Sequence, residues 1–363
     1  MFRQLNTNEL IQFLYKHRPD LIEDMNKADH NYDKDNLSPY HMEGSVMTHL
    51  MMVMNEADRL NISPLAKVMA LVHDLGKPLS LFVNHEKKRN FFMGHEGLSC
   101  FVMIDLLKKL GLSQKEIELC IFVVSHHTYL YQFFKNESLD KSSIKSICNH
   151  FKSNVTAFEY MLELAEADNN GRISNNKRSN FALFFDEVKK ELLIDEKLEK
   201  DKKYEFDHEV EILIGPQGSG KSSYADQKKK EGFIILCRDD IAEEHFQKPY
   251  SELTNIQVFD EKVDKIFNQK LLAYLKNKQS FIIDKTNMTN KSQLRNFGNA
   301  DKNTCFKKAT VFIKDYELLK KHLKKREERT GKTIQLDQVH KTLKNFQAPI
   351  YSVFHDIEYK IFD

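Results

Sequence analysis

Eight consecutive residues constrain this chain more than any others: Gly215-Pro216-Gln217-Gly218-Ser219-Gly220-Lys221-Ser222. An apolar run containing Val210, Ile212, Leu213 and Ile214 comes directly before them, and a helix is predicted after them, from Ser222 to Lys230. Strand, glycine-rich loop, helix is the context in which such a segment cradles phosphate. The glycines let backbone N–H groups converge on an anion, and the helix N-terminus adds partial positive charge. The expected nucleotide-binding set is Gly215, Gly218, Ser219, Gly220, Lys221, Ser222 and Ser223. In it the Lys221 ammonium reaches the outer phosphates and the Ser222 hydroxyl ligates Mg²⁺. The plain alternative is a glycine turn that happens to carry a lysine, and the preceding strand argues against it.

A length of 363 residues suggests two domains or perhaps three. Hydrophobic residues at 41 % and charged residues at 30 % fit a soluble globular protein. The net charge of +2 points to no class of partner, so only local clusters carry information. Lys228-Lys229-Lys230, Lys307-Lys308 and the stretch from Lys320 to Lys332 are such clusters, and a run of this kind is usually a solvated face. The five cysteines are scattered, with no CxxC pair, which excludes a disulfide framework and a cysteine zinc site. A reducing, cytoplasmic setting is expected. No apolar run approaches the length of a membrane span, and the N-terminus lacks a signal-peptide core.

The first half reads as helical. Leu10, Phe13 and Leu14 mark a short amphipathic stretch, and Met47 to Ala57 carries Val46, Leu50, Val53 and Ala57 on one face. Helices are also predicted over 65–75, 101–110, 117–124 and 158–165. A charged stretch from Glu196 to Lys203 marks the expected domain boundary, as a helix tail or a linker. Beyond residue 208 the pattern changes to short apolar runs at 211–214, 233–236, 281–283 and 309–313, separated by helical segments such as 258–275. Strands alternating with helices imply a parallel sheet covered on both faces. The reading is two domains: an all-α domain over 1–200 and an α/β domain with a parallel sheet over 201–363.

Within the helical half, His73-Asp74 ends an apolar helix containing Val68, Met69, Leu71 and Val72, and Lys77 lies one turn on. His49 shares a face with Val46, Leu50 and Val53, and Asp168 continues the stripe of Phe158, Met161 and Ala165. A carboxylate on the buried side of a helix is costly unless it is paired or metal-bound. Imidazole and carboxylate together suit a divalent metal. Such an ion lowers the pKa of bound water and polarises a phosphoryl oxygen, and Lys77 could neutralise a phosphate oxygen. His95, in Gly94-His95-Glu96, and the pair His126-His127 could build a second site, two ions about 3.5–4 Å apart clamping a phosphate. His41, His85 and His150 read as surface or loop residues. Taken singly, an inward histidine is ordinarily a satisfied core residue.

Residues 41–172 resemble the HD-domain phosphohydrolases. The segment from His41 through His49 and the segment from Ala70 to Lys77 are similar to the HD domains of bacterial tRNA nucleotidyltransferases. The resemblance implies that His49, His73, Asp74 and Asp168 are metal ligands, and that the substrate is a phosphomonoester or phosphodiester.

Three further segments qualify the phosphate-binding loop. Cys237-Arg238-Asp239-Asp240 follows the second strand, where Asp239 could take a proton from an attacking hydroxyl, or where Asp239 or Asp240 could instead cap the next helix. Asp284 ends the third strand, placed to hold Mg²⁺ through water or simply to sit in a strand-end turn. Arg326 and Arg329 share a helix face before Gly331 and read either as a basic lid over the transferring phosphate or as an exposed basic helix.

Together, residues 209–363 resemble the 5′-hydroxyl polynucleotide kinases of bacteriophage and bacterial end-healing systems. The resemblance rests on residues 215–222, Arg238-Asp239-Asp240, Thr286-Asn287, and Arg326 with Arg329 leading to Leu336-Asp337. It implies that Lys221 and Ser222 bind ATP and Mg²⁺, that Asp239 is the general base and that Arg329 contacts the ATP phosphates. Two positions depart from the pattern. Ala242 stands where the phage enzymes carry an arginine that contacts substrate phosphate. Lys285 precedes Thr286-Asn287, with the acid one position earlier at Asp284.

In this order the two halves resemble bacterial fusions of an HD phosphoesterase with a polynucleotide kinase. The expected function is bifunctional healing of single-stranded RNA or DNA ends: removal of a 2′,3′-cyclic or terminal phosphate, and transfer of the ATP γ-phosphate to a 5′-OH, giving products that suit a ligase. The expected cofactors are ATP with Mg²⁺, and one or two divalent transition-metal ions in the HD site. The alternatives are an HD nucleotidase fused to a small-molecule kinase, and an ATP-gated regulatory protein.

Overall fold

The computed structural model describes residues 2–133, 139–152, 154–175, 181–200, 205–253, 259–297, 305–330 and 335–362. The chain folds as two compact units. One comprises Met1–Asp201 with His340–Ala348, the other Lys202–Val339 with Pro349–Asp363.

The first unit is helical. Its elements are α1 (Thr7–His17), α2 (Pro19–Lys27), α3 (Val46–Arg59), α4 (Pro64–Val72), α5 (Lys77–Ser80), a hairpin of β1 (Phe82–Asn84) and β2 (Arg89–Phe91), α6 (His95–Val102), α7 (Ile104–Lys109), α8 (Gln114–His126), α9 (Lys141–Phe151), α10 (Val155–Asn170) and α11 (Phe181–Lys200). Side chains define the helix starts. Asn6 with Glu9 and Ser113 with Glu116 form capping boxes. The Ser45 hydroxyl accepts from Thr48 N at 3.1 Å, and Asn154 Oδ1 accepts from Ala157 N at 3.0 Å. Helix α10 packs on α3 and α4, and α6 packs on α8. Leu50, Met69, Phe101, Phe122 and Phe158 are fully buried between these helices.

Two elements differ from the periodicity. The single helix predicted over 101–110 is broken at Met103 into α6 and α7, because the apolar run is buried all round and gives no phase. The β1–β2 hairpin is too short and too exposed to show an alternating pattern.

Residues 340–348, read from sequence as part of the second domain, pack in the first unit. The Phe346 ring lies 5.3 Å from Phe101, and Ala348 N donates to Ser125 Oγ at 3.2 Å. Gly97 of α6 lies so close to this strap that a Cβ there would run into the Leu343 and Phe346 backbones.

The second unit contains β3 (His208–Ile214), α12 (Lys221–Lys230), β4 (Ile234–Cys237), α13 (Arg238–Phe246), α14 (Tyr250–Leu253), α15 (Phe259–Lys276), β5 (Phe281–Asp284), α16 (Asn290–Phe297), β6 (Cys305–Lys314), α17 (Tyr316–Thr330), the first part of α18 (Leu336–Lys344) and β7 (Asp356–Phe362). Five parallel strands lie in the order β4-β5-β3-β6-β7. Leu213, Ile282 and Phe312 share one face with Ala225 of α12, while Phe281 on the other face meets Tyr274 of α15. Strands buried on both faces read as continuous apolar runs, which is why β3 to β6 were visible in sequence. Strand β7 was not: its charged residues Asp356, Glu358 and Lys360 mask it. The chain runs from β3 to one side of the sheet and later returns to its other side, so the crevice at the carboxyl end of β3 is the natural ligand site of such a sheet.

Candidate functional site

In the first unit, three histidines are set by helix ends. His73 follows α4, His95 opens α6 and His127 follows α8. Each turns Nδ1 to the carbonyl three residues earlier: Ala70 O at 2.8 Å, Phe92 O at 2.7 Å and Val124 O at 2.8 Å. A carbonyl only accepts, so Nδ1 carries the proton and the Nε2 lone pair faces inward, the arrangement found in metal-binding histidines. On α3, His49 is oriented instead by Glu43, whose Oε1 lies 2.8 Å from its Nδ1.

These rings meet two carboxylates. His49 Nε2 lies 3.0 Å from Asp168 Oδ1 and 3.4 Å from Asp74 Oδ2. His73 Nε2 lies 3.1 Å from Asp74 Oδ2. On the other side of Asp74, Oδ1 lies 3.1 Å from His95 Nε2 and 3.9 Å from His127 Nε2, and those two nitrogens are 3.3 Å apart. Asp74 thus faces one group with each oxygen.

His49 Nε2, His73 Nε2, both Asp74 oxygens and Asp168 Oδ1 are shielded from solvent, and none is in hydrogen-bond geometry with a partner. Lone pairs facing carboxylates in a dry interior are costly, and imidazole and carboxylate donors fit one or two divalent cations. Burial alone would raise the Asp74 carboxyl, but His73 and Lys77 outweigh it and hold it well below the usual carboxylate range. His49 does the same for Asp168.

His49, His73, Asp74 and Asp168 therefore come together, with His95 and His127 beside them. His126 does not join them. Its Nδ1 faces Phe122 O at 3.0 Å, and its ring packs edge-on against His150 at 4.6 Å. His150, read as a surface or loop residue, is buried and stacked on Tyr129 at 3.8 Å, and burial pushes its imidazole down to about 2. His41 also lies at the site, with Nδ1 3.0 Å from Glu43 Oε1, whereas His85 is exposed as expected.

Lys77 Nζ is 2.7 Å from Asp74 Oδ2 and 3.0 Å from His30 Nε2, while His30 Nδ1 donates to Gly44 O at 2.9 Å. Tyr131 donates a short hydrogen bond to Asp168 Oδ2. Sequence reasoning missed Glu43, His30 and Tyr131 as members of this site. They lie in loops or short turns, where no periodicity marks a direction.

In the second unit the loop after β3 is formed as expected. Gly218 and Gly220 have φ of +78° and +106°, which side chains rarely adopt. A Cβ at Gly218 would also come within 2.8 Å of Leu323 on α17. Lys221, the first residue of α12, turns its ammonium back into the loop and donates to the Gly215 and Pro216 carbonyls, both at 2.8 Å. Ser219 is buried, and Ser222 and Ser223 are exposed at the start of α12. Gly215 N donates to Thr286 O at 3.0 Å, and Asn287 Nδ2 donates to Leu213 O at 2.8 Å. Thr286-Asn287 therefore clamps the loop's base to the end of β5.

Burial pushes the Lys221 ammonium down to about 8 against the opposing pull of Asp284 and Asp239, and Arg326 depresses it further. Burial raises Asp239, and it lifts Asp284 to about 6 despite Lys221. Lys221, Asp239, Asp284 and Arg326 thus lie within one another's fields. Cys237, not an aspartate, is the N-cap of α13, and no side chain caps that helix. Asp239 and Asp240 sit in its first turn. Ala242 is fully buried. The side chain of Arg329 lies outside the described residues.

Residues 210–349 match an AAA domain family. No curated protein matches the chain. A solved structure described as the Pnkp1/Rnl/Hen1 RNA repair complex contains a chain 28 % identical, with 40 % of this chain and 46 % of that chain covered and a TM-score of 0.34. A second, described as a "putative kinase" from Chloroflexus aurantiacus j-10-fl, is 10 % identical, covering 43 % of this chain and 86 % of that chain, also at a TM-score of 0.34. This chain therefore spans less than half the length of the first of these. The second unit carries a kinase-like P-loop domain, which implies a nucleoside triphosphate with Mg²⁺. Among the described residues no helix is long and apolar enough to cross a membrane.

Proposed function

We propose that the chain heals broken nucleic-acid ends, with a polynucleotide 5′-hydroxyl kinase in the second unit and an HD-type metal-dependent phosphoesterase in the first. The observation that carries the kinase half is the shared environment of Lys221, Asp239 and Asp284 at the carboxyl end of the parallel sheet. In it Asp239, its basicity raised by burial, takes the proton of the acceptor hydroxyl. The hydroxyl oxygen forms a bond to the γ-phosphorus as the bond to the β–γ bridging oxygen breaks and ADP leaves. Lys221, Arg326 and Arg329 neutralise the charge that spreads over the transferring group. Ser222 and Asp284 would hold the Mg²⁺.

In the first unit, His49, His73, Asp74 and Asp168, with His95 and His127, would hold one or two divalent cations. Such ions supply an acidified water and polarise the phosphoryl oxygen of a 2′,3′-cyclic or terminal phosphate. Lys77, held between Asp74 and His30, is placed to meet a phosphate oxygen. Glu43 and Tyr131 orient His49 and Asp168.

The test is an oligonucleotide with a 5′-OH and a 2′,3′-cyclic phosphate, incubated with ATP, Mg²⁺ and Mn²⁺ or Ni²⁺. Gain of the γ-phosphate at the 5′ end and metal-dependent opening of the cyclic end are expected. Asp239→Ala should lower transfer by about 10²–10⁴-fold while sparing ATP binding. Transfer to free nucleosides but not to the oligonucleotide would favour a small-molecule kinase. Nucleotide binding without transfer to any acceptor would favour a regulatory protein.

A further inference from the structure

Register places Cys237 of β4 opposite Asp284 of β5, so Arg238 and Lys285 leave adjacent parallel strands side by side. Side chains alternate between faces along a strand. Asp284 pairs with Leu213 in register and so shares the α12 face with the phosphate-binding loop, whereas Lys285 emerges on the α15 face. Contacts agree. The Lys285 ammonium lies 4.5 Å from the centre of the Phe267 ring, and Arg238 Nε donates to Asp264 Oδ1 at 3.1 Å. Both partners belong to α15, one turn apart. Arg295, exposed on α16, acts on the charge of Lys285 together with Arg238, and the acids that oppose them are Asp264 and Asp239.

Three cations thus converge beside Asp239, on the face of the sheet away from the triphosphate loop. Asp264, already paired with Arg238 and 46 % exposed, is a weak counter-ion for all three. Lys285 is half-buried against an aromatic face, and among the described residues no carboxylate or carbonyl accepts from its ammonium. A part-desolvated ammonium on a ring, with two guanidinium groups in its field, calls for an anionic partner.

We infer that Lys285, with Arg238 and Arg295, seats a phosphate of the acceptor, so that the favoured acceptor is a nucleotide bearing a 3′-phosphate or phosphodiester next to its 5′-OH. The inference rests on the proposed kinase reading and deepens it. Donor phosphates would sit on the α12 side and the acceptor phosphate on the α15 side, with Asp239 between them at the hydroxyl.

The test compares adenosine 3′-phosphate with adenosine as acceptor at saturating ATP. The wild-type chain should show the higher kcat/KM for the phosphorylated acceptor. Lys285→Ala should raise KM for adenosine 3′-phosphate about 10–100-fold, the loss expected for a charge-assisted hydrogen bond, and should erase most of the discrimination. KM for ATP should not move, which also reports that the loop is still folded. Arg295→Ala, on an exposed helix face, should act in the same direction, and Lys285→Arg should restore part of the loss. If the wild-type chain transfers phosphate but Lys285→Ala and Arg295→Ala keep full discrimination, this inference falls alone. Transfer to neither these acceptors nor an oligonucleotide removes the kinase reading and this inference with it.

Discussion

Lys221 donates to two loop carbonyls, and burial holds its proton only up to about pH 8. Phosphate oxygens favour the charged ammonium, so nucleotide binding must raise that pKa. Below pH 8 the free lysine is already protonated and affinity is level. Above it, binding must take up a proton, so affinity falls by up to about tenfold per pH unit until the bound-state pKa is reached. Titration of a fluorescent ATP analogue between pH 7 and 9.5 should show this break, and a level dissociation constant across that range would count against it. At this scale the sequence was informative where chemistry and position coincide. A lysine after a glycine loop has one place to go. A glutamate at 43 or a tyrosine at 131 has many, and only the fold turns Glu43 towards His49 and Tyr131 towards Asp168.

Among the elements, α6 gives the clearest test. It opens with His95 and carries Gly97 against the strap of residues 340–348. Gly97→Ala forces a methyl group onto the Leu343 and Phe346 backbones, an overpacking that costs about 1–3 kcal/mol. Amide exchange at Leu343, Phe346 and Ala348 should accelerate, with the β3 amides as an internal control. Unchanged protection at those three positions would show that the strap is held by Phe346 on Phe101 alone. The periodic elements were legible because a helix or strand with one buried face writes its period into the sequence, as α3 and β3 do. The strap was not, since an amphipathic segment shows that it has an apolar face without showing which unit covers it. The hairpin and β7 escaped for a related reason: exposed or charged strands lack the apolar run.

For the whole molecule, the two sets of phosphate chemistry lie in different compact units, and each should fail separately. Asp74→Asn removes the carboxylate that faces both histidine groups. It should lower bound metal, measured by elemental analysis after dialysis, and abolish phosphate release, with transfer from ATP retained. Lys221→Ala should do the reverse, abolishing transfer while leaving metal content and phosphate release. If either substitution silences both activities while the chain stays folded by amide exchange, the proposed division of labour is wrong. The sequence by itself determined that a parallel α/β unit with a phosphate loop follows a helical one. It also determined that histidines and aspartates line the inner faces of those helices, because periodicity and local backbone chemistry are short-range. Only the tertiary structure decided that Asp74 stands between two histidine groups, that His126 turns away, and that residues 340–348 cross to the first unit. Those outcomes depend on packing between segments far apart in the chain, and no local pattern encodes it.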